Sequence, residues 1–204
     1  MLARSGSIPG GRGWTFEPKL DGFRCMVCTD AGFRARSRKG WDMTQLLPEL
    51  RGCLPAGVQL DGELVALADD GRPDFHRLSS RMLPGRGGIA VTLFVFDVIG
   101  VEGLPTTMQP YSERRELLEQ LELESRQVRL VATFEDGEAL FAAVCERGLD
   151  GVVAKRLRDP YRPGERQWVK TKNRATVRFA DERDGVGYQQ RAMLRTGPRS
   201  RCPR

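Results

Sequence analysis

The apolar positions of this chain fall in short runs broken by glycine, proline and aspartate, a pattern of hairpins and brief helices. Residues 14–17 are strand-like. Residues 23–28 and 33–37 flank the turn Thr29-Asp30-Ala31-Gly32 and predict a β-hairpin. Residues 44–50 have room for one or two helical turns. Residues 58–67 predict a strand closed by the turn Asp69-Asp70-Gly71-Arg72-Pro73, and 74–82 a short helix ended by Pro84-Gly85. Residues 89–98 are apolar and β-branched without helical spacing, the pattern of a buried strand. Residues 110–123 carry the strongest helical signal. Ser112 stands as its cap, Glu113 and Glu116 sit near its start, and Leu117, Leu118 and Leu121 share a face. A strand over 128–132, a second helix over 136–147 ending at Gly148, and strands over 151–155 and 167–170 complete the series. With strands grouped in hairpins and no regular βαβ alternation, the fold class is α+β. Residues 1–13, rich in Gly and Ser, predict a flexible lead-in. Residues 14–180 form one domain, and 181–204 a basic tail that is disordered in part.

Composition narrows this picture. A chain of 204 residues with 40% hydrophobic and 29% charged residues has the make-up of a soluble globular domain with a real core. No apolar run approaches the ~20 residues that span a bilayer. The first residues lack the apolar segment of a signal peptide, so the expected location is cytoplasmic, with no membrane partner. The net charge is +6, but residues 1–170 are balanced; the whole excess lies in 171–204, with nine basic against three acidic residues. A uniformly basic DNA-gripping face is therefore not evident from composition. The five cysteines are scattered. Cys25 and Cys28 have no second pair to complete a zinc site, and on a strand they point to opposite faces, so they read as reduced, structural thiols. His76 is the sole histidine, which excludes a histidine-rich metal cluster and leaves it to packing or surface.

Lysine usage is more informative. There are five lysines against 28 arginines, and four of the five, Lys19, Lys155, Lys170 and Lys172, stand in distinctive stretches. Arginine keeps its proton in proteins, whereas a deprotonated lysine amine can attack an electrophile and form a covalent intermediate. Lys19 lies in Lys19-Leu20-Asp21-Gly22-Phe23-Arg24, directly after a strand. Lys170 and Lys172, two apart on one strand, share a face.

These stretches carry a family resemblance. Lys19-Leu20-Asp21-Gly22-Phe23-Arg24 resembles motif I (K-x-D-G-x-R) of the covalent nucleotidyltransferases, which comprise ATP-dependent DNA ligases, RNA ligases and mRNA-capping enzymes. Ser37-Arg38-Lys39-Gly40-Trp41-Asp42, followed by Leu47-Pro48-Glu49-Leu50, resembles the S-R-N-G-x-D and F-P-E-L segments of the ligases. Leu60-Asp61-Gly62-Glu63-Leu64-Val65 resembles motif III, Phe94-Val95-Phe96-Asp97-Val98 motif IIIa, Asp150-Gly151-Val152-Val153-Ala154-Lys155 motif IV, and Trp168-Val169-Lys170-Thr171-Lys172 motif V. Six elements in the family's order, over residues 14–173, are most similar to the adenylation domain of bacterial ATP-dependent DNA ligases, including those of end-joining enzymes.

The resemblance implies an ATP-grasp-like nucleotidyltransferase fold, with antiparallel sheets and flanking helices around an ATP cleft. It implies a reaction in which Lys19 attacks the ATP α-phosphate, and AMP then passes to the 5′-phosphate of nicked or broken double-stranded DNA. By resemblance, Glu17, Arg24, Arg38, Glu63, Phe96, Lys155, Lys170 and Lys172 contact ATP, with Phe96 stacking on adenine and Lys170 and Lys172 meeting the triphosphate. Arg38 and Arg24 are also candidates for the 5′-phosphate at the nick, whose planar forks suit phosphate. Glu63 and Asp150 would meet Mg²⁺ or Mn²⁺, for which one or two carboxylates suffice. Asp21 orients the Lys19 loop, and Gly22 permits a close approach.

Two departures stand out. Motif IV usually opens with Glu, where this chain has the shorter Asp150. The C-terminal OB domain of DNA ligases is absent from the residues after motif V, which predicts weak adenylation and poor sealing in isolation. A separate OB domain or end-joining proteins are then expected partners of a monomer. Two other readings stay open: a truncated, noncatalytic nucleic-acid-binding remnant, and an RNA ligase or capping-type enzyme. The S-R-x-G and F-P-E-L-like segments favour DNA ligase among the enzymes.

Overall fold

The structure, a computed structural model, describes residues 1–83 and 88–176. Strand β1 spans Ala3–Ser5, β2 Trp14–Pro18, β3 Phe23–Cys28, β4 Arg34–Ser37 and β5 Val58–Ala66. Helix α1 covers Phe75–Arg81, and β6 (Val91–Val101) and β7 (Leu104–Pro105) follow. Helix α2 (Tyr111–Gln120), β8 (Val128–Leu130), α3 (Gly137–Glu146), β9 (Gly151–Arg156) and β10 (Trp168–Lys172) complete the order. Two 3₁₀ turns, Thr44–Leu46 and Pro48–Leu50, occupy the stretch expected to hold helical turns.

The strands form two sheets. One runs β1-β10-β9-β2; the other runs β4-β3-β5-β6-β7, with β8 also paired to β6. Pairing is antiparallel apart from two parallel pairs, β1 with β10 and β8 with β6. Alternation along β3 and β5 places Cys25, Val27, Leu60 and Leu64 in the main core, together with Leu93, Val95 and Leu118. A second core joins Phe16 of β2 and Val152 and Ala154 of β9 to Leu140 and Val144 of α3. A third cluster, Met1, Phe96, Val131, Tyr161 and Trp168, takes residues from both sheets. It ties them together at the base of a cleft.

Two local expectations change. The lead-in expected to be flexible over residues 1–13 contains β1, whose Arg4 is in register with Val169. A three-residue strand carries too little pattern to predict, and its partner lies at the other end of the domain. Ser112 does not cap α2; Pro110 is the N-cap residue and no side-chain cap bond forms. Its fixed φ and missing N–H suit a helix start without a cap. By contrast, Asp74 and Asp136 cap α1 and α3 by accepting from Arg77 N at 2.9 Å and Ala139 N at 3.0 Å. The basic tail over 181–204 and the Pro84-Gly85 stop lie outside the described residues.

Candidate active site

The cleft between the sheets has a volume of about 1080 Å³ and is lined by the loop after β2, by β3, β5 and β6, by the turn after β4, and by β9 and β10. It brings together Glu17, Lys19, Arg24, Arg38, Glu63, Phe96, Lys155 and Lys170. Lys172 is not in its lining; it lies at the far end of β10, in register with Gly151. Asp150 reaches the site from behind the wall.

Lys19 sits on the connection from β2 to β3. Its backbone N–H donates to Gly151 O at 2.8 Å, which fastens the loop to the start of β9. Its Nζ forms an ion pair and hydrogen bond with Asp150 Oδ2. Asp150 is itself held by Asn173, whose N–H donates to Asp150 O at 3.0 Å while Nδ2 donates to Leu149 O at 3.1 Å. Two glycines make this packing feasible. A Cβ on Gly22 would stand 2.1 Å from Leu64 O, and one on Gly151 (φ 143°) 2.1 Å from Thr171 O.

Arg24 projects from β3, in register with Glu63 on β5. Its Nε donates to Asp61 Oδ1 at 2.9 Å, its second nitrogen bonds Asp61 Oδ2, and Tyr161 Oη donates to the same Oδ2 at 2.8 Å. Its guanidinium carbon lies 5.2 Å from the Trp168 ring centre and 5.5 Å from that of Phe96. Asp61 and Tyr161 are supports that the sequence reading did not single out for this role. The signal for Asp61 was available: alternation puts it on the same face as Glu63. Burial pushes the Glu63 carboxyl up to about 7 against the pull of Lys19 and Arg24, and Asp61 and Asp21 add to the rise.

Lys155 differs from a strand-end cation. It is buried, with Nζ donating to Phe96 O at 3.0 Å and lying 2.6 Å from Glu17 Oε1. The rings of Phe96, Trp168 and Tyr111 surround it at 4.5, 4.5 and 4.8 Å. Tyr111 Oη donates to Glu17 Oε1 at 2.6 Å. Burial raises the Glu17 carboxyl and lowers the Lys155 ammonium, each opposed by the charge of the other. Oε1 of Glu17 thus serves both Lys155 and Tyr111, and Glu17 also stands in the cleft lining. Phe96 is nearly buried at the cleft base, edge-on to Trp168 with ring centres 5.6 Å apart. A further buried pair, Arg114 with Asp97 at 2.7 Å, locks α2 to β6 away from the cleft.

Among the described residues no group of three or more His, Cys, Asp or Glu stands ready to hold a metal. Cys25 is buried, its thiol pushed up to about 12 by burial first and by Asp61 and Glu63 after it, while Cys28 lies on the opposite face. His76 is exposed on α1, outside the cleft. No helix of the described residues is long and apolar enough to cross a membrane.

Two sheets thus close on a lysine held by an acid, with cations from both walls. Residues 3–172 match the family model of the ATP dependent DNA ligase domain, and the chain belongs to that family. It is 41% identical over 187 residues to the multifunctional non-homologous end joining protein LigD of Pseudomonas aeruginosa, covering 87% of this chain and 22% of that protein. To DNA ligase C1 of Mycolicibacterium smegmatis it is 33% identical over 214 residues, covering 92% of this chain and 62% of that one. Among solved structures, mycobacterial DNA ligase D complexed with ATP and MES superposes with a TM-score of 0.73 at 34% identity, covering 84% of this chain and 59% of the other. The chain spans less than two thirds of the length of each.

Proposed function

We propose that this domain transfers AMP: Lys19 takes it from ATP, and the 5′-phosphate of nicked or broken duplex DNA receives it during strand joining. The single observation that carries this reading is the position of the Lys19 amine. It faces the cleft on the Asp150 carboxylate, with Arg24, Arg38 and Lys170 in the same lining. In the first step the Lys19 nitrogen forms a bond to the α-phosphorus while the bond from that phosphorus to its bridging oxygen breaks. Pyrophosphate leaves with the electron pair. Before attack one ammonium proton passes along its hydrogen bond to Asp150 Oδ2, which frees the nitrogen lone pair, and a second is lost to solvent as the phosphoramidate forms. Cations on both walls stabilise charge developing on the phosphates. In the second step an oxygen of the 5′-phosphate bonds the same phosphorus, and the nitrogen–phosphorus bond breaks to restore Lys19. Attack by a 3′-hydroxyl then closes the strand and releases AMP.

Glu63 and Asp150 fit a cation such as Mg²⁺ or Mn²⁺. Glu63 would meet it from the cleft lining and Asp150 from beside Lys19, with phosphates and water supplying the remaining ligands. Such an ion would neutralise phosphate charge. Phe96 and Trp168 supply the apolar base on which a purine would lie.

Incubation with α-labelled ATP and Mg²⁺ tests the reading. Acid-stable label should appear on the chain and vanish in Lys19→Ala. Label that persists in that variant would defeat the assignment, and labelling by GTP alone would move the chain to the capping-type reading. DNA binding that is salt-sensitive while no label forms would instead leave a noncatalytic binding remnant.

A further inference from the structure

We infer that the cleft-facing side of β4 is a track for the sugar-phosphate backbone of a DNA strand, with Arg34 and Arg36 as its phosphate contacts beyond Arg38. This rests on the DNA-joining reading and adds a surface to it.

The track follows from alternation. On β4, Ala35 is buried in the main core, so Arg34 and Arg36 project from the opposite face, and Arg38 continues that series past the strand end. All three are exposed, as is Lys39, and Arg38 and Lys39 line the cleft mouth. The face is the one that carries Arg24 and Glu63: β3 pairs Met26 with Arg36 and Cys28 with Arg34, so the row leads outward from the nucleotide cleft along the sheet edge. Its cross-strand neighbours on β3 are uncharged. Within the described residues no ion pair is formed by Arg34, Arg36, Arg38 or Lys39. Two acids stand beside the row: Asp42, bridged to Arg36 through the backbone and accepting from Thr44 N at 2.9 Å, and Asp30, which accepts from Cys28 Sγ and from Gln59 Nε2. Trp41, 37% exposed at the cleft mouth, adds a flat apolar surface beside the row.

Residues two apart on a strand are separated by roughly 6.4–6.8 Å. Successive phosphates of one DNA strand rise about 3.4 Å along the axis, and the winding of the backbone widens that to a comparable separation. A row of guanidiniums therefore matches a row of phosphates, with Arg favoured over Lys for forked contacts. Charge on an edge strand also discourages pairing with another chain. That role needs no alignment with the cleft, and the experiment separates the two.

The 204-residue chain is titrated into a fluorescein-labelled nicked DNA duplex by anisotropy over a series of salt concentrations. Each lost phosphate contact lowers the slope of log affinity against log salt by about 0.9. Arg34→Ala with Arg36→Ala should therefore flatten the slope by about 1.8 and weaken binding about ten-fold or more at low salt. Arg34→Lys with Arg36→Lys should keep most of the binding. Arg126→Ala with Arg129→Ala removes the same charge from a separate depression on the molecule and should change neither quantity. Thermal unfolding checks that each variant is folded. An unchanged slope in the first variant, an equal loss in the Arg126/Arg129 control, or a loss confined to an RNA duplex overturns the track. Lys19 labelling of the wild-type chain is measured alongside. Its failure would strike the adenylation reading, whereas intact labelling with an unchanged slope strikes the track alone.

Discussion

At the scale of single residues, the cleft holds charges in states that water would not favour. Glu63 is the clearest case, with its carboxyl raised from 4.5 to about 7. The folded chain then binds this proton more tightly than the unfolded chain, so the stability linked to it is greatest below pH ~4.5 and declines as pH rises towards about 7. Glu63→Gln removes that dependence. The melting temperature of the variant minus that of wild type should increase between pH 5 and pH 8, as read by calorimetry at both values. A constant difference would mean that the carboxyl titrates normally. Asp61 is a different kind of residue, fully buried and, among the described residues, the one acid hydrogen-bonded to Arg24. Asp61→Ala leaves that guanidinium without its carboxylate, and loss of one member of a buried pair costs about 3–5 kcal/mol. Urea unfolding should show a destabilisation of that order, with self-adenylation falling as Arg24 leaves its place. Asp61→Asn, which keeps one acceptor oxygen, should lie between.

At the scale of elements, the β2–β3 connection and the start of β9 are the parts that position chemistry. Gly22→Ala would drive a methyl into the Leu64 carbonyl, so the connection must shift. Label incorporation should drop at least ten-fold while the circular dichroism spectrum stays that of the folded chain. Asp136→Ala removes the cap of α3, far from the cleft, and should cost about 1 kcal/mol with labelling per folded molecule unchanged. Both outcomes concern elements that the sequence had made visible to different degrees. The strands at 58–67 and 89–98 could be read because β-branched and apolar residues fill them, and α1 and α3 because an aspartate stands where a cap belongs. β1 could not, since its identity comes from a parallel partner more than 160 residues away. In the site, the motifs that carry the family resemblance named eight residues that meet in the cleft lining. Those motifs did not reveal the burial of Lys155, because it depends on Phe96, Tyr111 and Trp168 converging from three separate segments. The Tyr161 part of the Arg24 clamp was hidden for the same reason, 137 positions from Arg24 in sequence, whereas alternation with Glu63 made Asp61 legible.

At the scale of the whole molecule, two sheets with separate cores meet at one mixed cluster, and the cleft opens above it. A nucleotide that touches both walls binds the folded state and not the unfolded chain. At a hundred-fold excess over its dissociation constant it should add about 2.7 kcal/mol of stability. ATP should therefore raise the melting temperature of wild type and also of Lys19→Ala, which keeps the walls and loses only the amine. A shift seen in neither protein would mean the cleft does not take the nucleotide. Trp168 makes the same event visible without heat or isotope. Its indole lies in the cleft floor, edge-on to Phe96 and within 5.2 Å of Arg24 and 4.5 Å of Lys155. Light emitted by an indole depends on the charges and rings beside it, so a purine settling there should dim or recolour the chain's own fluorescence. The two other tryptophans, Trp14 and Trp41, can be exchanged for phenylalanine to leave Trp168 as a built-in gauge of occupancy.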